Sequence, residues 1–217
     1  MKEIINQFNT EITRKIDLNY LVFLPEDYES VDNKQYPLLV FLHGAGERGN
    51  DIEKVKNYGI PEILSHADLP FILICPQCPD GTVWSLEIDA LSKLLEEIKR
   101  LYKIDDRKVF LSGLSMRGYG TWDFAMKFPD KLTAIAPICG GAIMPEKICT
   151  LKDLPVWAFH GEKDKSVPIE NTKRLVSALE KIGGNVRYTY YPEIGHNCWG
   201  AAYKNPNLFR WLLEQTK

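Results

Sequence analysis

No stretch of the 217 residues stays apolar over the roughly 18 positions that a bilayer-spanning helix needs. The chain also lacks a charge excess of either sign. Lys and Arg number 27 against 29 Asp and Glu, a net −2, so neither nucleic acid nor an anionic membrane surface is an expected partner. Cysteines number five, an odd count in a chain too large to need disulfide staples. Residues 1–10 are mixed polar and lack the apolar core of a signal peptide, so the cytoplasm is the expected location, with secretion if a leader was removed upstream. Repeats, low-complexity tracts and linker-like segments are missing too. With 45% hydrophobic and 26% charged residues, one globular domain over residues 1–217 is expected rather than a disordered chain.

What the chain does contain is an alternation of short apolar runs and amphipathic stretches. The runs are Tyr20–Leu24, Tyr36–Leu42, Phe71–Cys75, Val109–Leu111, Val156–Phe159 and Val186–Tyr191. Unbroken apolar runs of this kind suit strands buried on both faces of a parallel sheet. Between them Ile88, Leu91, Leu95 and Ile98 recur at helical spacing, with Ser85 as a candidate N-cap. Leu175, Val176 and Leu179 do the same before Gly183-Gly184, and Asn205-Pro206 opens a last helix. The pattern predicts a doubly wound, mostly parallel α/β sheet with helices on both faces and ligands at the carboxyl ends of its strands.

Four motifs fall at those ends. Gly113-Leu114-Ser115-Met116-Arg117-Gly118 follows a strand and reads either as a nucleophile elbow or as a plain turn with Ser115 as N-cap. His43-Gly44-Ala45-Gly46 follows Tyr36–Leu42, and its glycines leave backbone N–H groups free to face an oxyanion. His43 itself is expected to be structural. His160-Gly161-Glu162-Lys163-Asp164 offers a carboxylate that orients a histidine or is simply solvated. Gly195-His196-Asn197-Cys198-Trp199 offers the histidine. Taken singly each motif is ambiguous. Together, Ser115, then Asp164 49 residues on, then His196 32 further on, stand in the Ser-Asp-His chain order of the α/β-hydrolase triad.

These motifs, over nearly the whole chain from Tyr20, resemble the dienelactone-hydrolase-like and feruloyl/acetyl esterase-like branch of the α/β-hydrolases. Members of this branch are often labelled phospholipase/carboxylesterase or prolyl-oligopeptidase-like. The resemblance implies a carboxylic ester hydrolase with Ser115 as nucleophile, His196 as base and Asp164 as orienting acid. It also implies an oxyanion hole from the N–H groups of Ala45 and Met116, and no cofactor or metal. Without a long insertion to serve as a lid, soluble esters of short or aromatic acids are favoured as substrates. A peptidase or thioesterase would use the same triad, and a non-catalytic binding member of the fold is a third reading.

Trp84 and Trp199 follow strand-end loops and are candidates to wall the pocket, with core packing the alternative for Trp84. Tyr119 and Trp122 are expected to pack under the sheet edge, and Cys198 to line the pocket rim. Arg117 stands where the elbow pattern has glycine. It either pairs with a substrate carboxylate, or points to solvent or pairs with an acid such as Glu47. Cys75-Pro76-Gln77-Cys78 lacks the second pair that a zinc site needs.

Overall fold

The computed structural model describes residues 3–64 and 69–217, without the side chains of residues 63, 64 and 117. Among the described residues seven strands form one sheet: β1 (Tyr20–Phe23), β2 (Tyr36–Leu42), β3 (Ile72–Pro76), β4 (Ile104–Leu114), β5 (Ala134–Ile138), β6 (Val156–Gly161) and β7 (Val186–Tyr191). Their order is β1-β3-β2-β4-β5-β6-β7. Only β1 runs antiparallel to its neighbour.

Alternation within β2 explains why the sheet is covered twice. Leu38, Val40 and Leu42 join one core cluster, with Leu91, Leu95 and Ile98 of α2 (Ile88–Leu101), Trp122 of α3 (Met116–Lys127) and Leu175 and Leu179 of α4 (Glu170–Lys181). Leu39 and Phe41 join the other, with Ile60 of α1 (Ile60–Leu64), Tyr203 of α5 (Trp199–Tyr203) and Leu208 and Leu212 of α6 (Pro206–Glu214). Successive strand side chains point to opposite faces, so an all-apolar run must be buried from both sides.

The expected last helix starts as its sequence indicates: Asn205 accepts the Asn207 N–H, and Pro206 takes the first turn. Gly183, at φ +68°, closes α4. Ser85 is not the N-cap of α2. It lies in a 3₁₀ turn, Trp84–Leu86, and its hydroxyl turns to Asp123, so Glu87 occupies the cap. β5 was not expected, because Pro137 interrupts its pattern, yet Pro137 pairs with Gly113 in mid-sheet. β4 is far longer than the apolar core Val109–Leu111 and takes in Asp105 and Asp106. Among the described residues no helix is long and apolar enough to cross a membrane.

Candidate active site

β4 ends at Leu114, and the chain turns into α3 through Ser115 at φ 59°, ψ −127°. This conformation, unusual for a residue with a Cβ, lifts the hydroxyl above the sheet edge. Two groups secure the turn: the Ser115 N–H donates to the Ile138 carbonyl at 3.0 Å and approaches Cys139 Sγ at 3.3 Å. The close contact expected of an elbow falls at Gly118. A Cβ there would lie 2.5 Å from the Ile138 carbonyl oxygen and 2.7 Å from Gly140 Cα. The Arg117 side chain lies outside the described residues.

The loops after β6 and β7 meet at Gly161, where a Cβ would stand 2.3 Å from the Gly195 carbonyl oxygen. That approach brings Asp164 and His196 together. Ser115 Oγ lies 2.7 Å from His196 Nε2, and His196 Nδ1 lies 2.7 Å from Asp164 Oδ2. The other carboxylate oxygen, Oδ1, accepts the Ser166 and Val167 N–H groups at 2.8 and 2.9 Å. The Asp164 side chain is fully buried. Burial pushes its carboxyl upward, but the bonds from His196, Val167 and Ser166 outweigh this and hold it below the ordinary carboxylate value.

Two clefts open beside Ser115. One, of about 390 Å³, is lined by Val83, Ser85, Met116, Tyr119, Ile143 and Val167. The other, of about 330 Å³, is lined by Ala45, Gly46, Tyr58, Asn197 and Trp199. Ser115 and His196 border both. Trp199 sets its ring edge-on to His196 with centroids 5.6 Å apart.

Three expectations are corrected. Trp84 does not wall a cleft. It is wholly buried, edge-on to His43, and a Cβ on Gly120 would touch its own Cβ. Tyr119 borders the cleft instead of packing under the sheet, while Trp122 is buried as expected. Cys198 is buried with Cys139 and Tyr203 rather than set on the rim. Sequence reasoning missed Tyr58, Val83 and Ile143, which lie in loops without periodicity. It also missed Cys139, which follows the unexpected strand.

The segment Cys75-Pro76-Gln77-Cys78 anchors the loop after β2. The Cys78 N–H donates to His43 Nε2 at 2.9 Å, and Gln77 Nε2 donates to the Glu47 and Asp51 carbonyls. All five cysteines are free. Cys139, Asp164 and His196 are the only group among the described residues with donors clustered as around a metal ion. Two of those donors face each other at 2.7 Å, closer than the roughly 3.3 Å that ligands on one zinc keep. They form a hydrogen bond rather than a metal site.

Comparison with known proteins extends this geometry. Over 180 residues the chain is 27% identical to a bifunctional acetylxylan esterase/xylanase of Neocallimastix patriciarum, covering 81% of this chain and 26% of that protein. The chain thus spans about a quarter of that curated relative. A thermostable esterase superposes with a TM-score of 0.81 at 35% identity, over 92% of this chain and 60% of that one. A ferulic acid esterase, at 18% identity and a TM-score of 0.69 over 90% of both chains, shares the fold. The sheet order and the strand-end loops are therefore those of the α/β-hydrolase fold. Residues 82–202, which carry Ser115, Asp164 and His196, match the dienelactone hydrolase family, and the chain belongs to that family.

Proposed function

We propose that the chain is a serine hydrolase of carboxylic esters, acting as one domain over residues 1–217 through Ser115, His196 and Asp164. The observation that carries this reading is the unbroken line of hydrogen bonds from Ser115 Oγ through His196 to Asp164. His196 Nε2 takes the hydroxyl proton as Oγ attacks the ester carbonyl, then returns it to the leaving alcohol. Asp164 holds the proton on Nδ1 and stabilises the imidazolium. Water then clears the acyl-enzyme by the same route.

The oxyanion is assigned to the N–H groups of Ala45 and Met116. Ala45 borders one cleft, and Met116 is the first residue of α3, where a helix has no acceptor of its own for the N–H. Each such donor contributes on the order of 3 kcal/mol to the transition state. The clefts suit short or aromatic acyl esters, with Trp199 as one wall. The relatives' names, acetylxylan esterase and ferulic acid esterase, support the same class. Labelling with a fluorophosphonate and assay on p-nitrophenyl acetate test the reading. Ser115→Ala should lose both signals, and retained hydrolysis would remove Ser115 from the mechanism.

A further inference from the structure

A second histidine reaches the acid of the triad. His160 closes β6, is wholly buried, and has both ring nitrogens engaged. Nε2 lies 3.0 Å from the Val167 carbonyl oxygen and 3.2 Å from Asp164 Oδ2. Both neighbours are acceptors, so Nε2 carries a proton. Thr172 Oγ1 lies 2.7 Å from Nδ1 and 2.7 Å from the Gly140 carbonyl oxygen, and with the ring neutral its one hydroxyl proton turns to Nδ1. Gly140 packs on Gly118 of the nucleophile helix. A run of polar contacts thus joins the acid loop to the elbow, with His160 at its centre.

The geometry points to His160 as a positioning residue for the triad carboxylate. Its Nε2–H is shared between Asp164 Oδ2 and the carbonyl of Val167, while the Val167 N–H holds Asp164 Oδ1. One imidazole therefore fixes the carboxylate directly and also fixes the loop that cradles it. Oδ2 divides its lone pairs between His160 and His196. Drawing density from that oxygen weakens its pull on the His196 proton, so His160 tunes the base as well as placing the acid.

The groups facing His160 are Asp164 on its own loop, Thr172 on α4 and His196 on the loop after β7. Burial lowers the proton affinity of His160, and the Val167 carbonyl and Asp164 act against burial.

The inference rests on the triad reading, and its test is separable from it. Ser115→Ala decides the triad. The far-downfield proton of the His196–Asp164 bond, read by NMR, reports on His160 whether or not any ester turns over. In His160→Phe this resonance should move, kcat should fall about tenfold or more with KM within about twofold, and the acid limb of kcat/KM should shift to higher pH. His160→Gln, which keeps an N–H donor, should restore part of each effect. Thr172→Val should move the resonance and the limb in the same direction by less, and it decides the matter if His160→Phe does not fold. An unmoved resonance and acid limb in folded His160→Phe, or in Thr172→Val where His160→Phe is unfolded, would overturn the assignment and leave His160 as packing alone.

Discussion

The chain carries the dipeptide His-Gly twice at a strand end, and the two copies work in opposite ways. After β2, His43 accepts a hydrogen bond at Nε2 from the Cys78 N–H, so its lone pair is there and its proton sits on Nδ1, toward Gly44 O and Glu47. At the end of β6, His160 faces two acceptors at Nε2, so its proton is there. Both rings are buried. The first ties the glycine loop to the segment beyond β3, and the second ties the acid loop to its carboxylate. Identical residues at two strand ends therefore take tautomers set by what faces the ring, the backbone N–H of Cys78 beyond the adjacent strand in one case and the carboxylate and carbonyl of its own loop in the other.

The contrast is broken most severely on the chemistry side. On the proposed mechanism Ser115→Ala should cost on the order of 10⁶ in turnover, since neither loop could make up for a lost nucleophile. Asp164→Asn should cost about 10⁴, because the imidazole would be held in the wrong tautomer. Both are read by steady-state assay, and a near wild-type rate for the second would transfer the orienting role to another acid.

Breaking the first histidine should look different. His43→Phe leaves the Cys78 N–H without its acceptor, a loss of about 1–3 kcal/mol of stability. Denaturant titration should reveal it as a lowered midpoint, with a smaller fall in rate than Asp164→Asn gives. Acid should sharpen the contrast further. Because burial lowers the His160 proton affinity, the unfolded chain takes up a proton that the fold refuses as pH drops below about 6.5, and stability begins to decline there. Asp164, held below its ordinary value, adds stability that is present above about pH 4 and is lost only as pH falls through its lower folded value. Melting curves across this range should show the earlier decline weakened in His160→Gln. An unchanged decline would place it elsewhere.

Much of this was legible in the chain itself. Runs rich in apolar residues marked six of the seven strands: β2, β3, β6 and the end of β4 are buried on both faces and have no polar alternation to conceal them, while the edge strands β1 and β7 are only partly covered. The order Ser115, Asp164, His196 picked out three residues that the fold brings into hydrogen-bond contact. Pro137 hid β5 because the residue lacks a ladder donor, and with β5 went Cys139. Trp84 was misplaced because a tryptophan after a strand looks alike from sequence whether it faces a cleft or a histidine ring. The opposite tautomers of His43 and His160 were not legible at all. That of His43 depends on Cys78, brought near by the crossover from β2 to β3, and that of His160 on how its own loop folds Asp164 and Val167 back onto the ring.

The backbone angles at Ser115 carry a last consequence, in thermostability. A side-chain-bearing residue held at φ 59°, ψ −127° costs the fold roughly 1–3 kcal/mol, an expense met by the packing of β4 and α3 around it. Glycine tolerates that region without a Cβ clash. Ser115→Gly should therefore give an inactive protein that melts about 2–4 °C higher, provided the relief exceeds the added flexibility of its unfolded chain by about 1 kcal/mol. Heat resistance and turnover would then compete at a single residue.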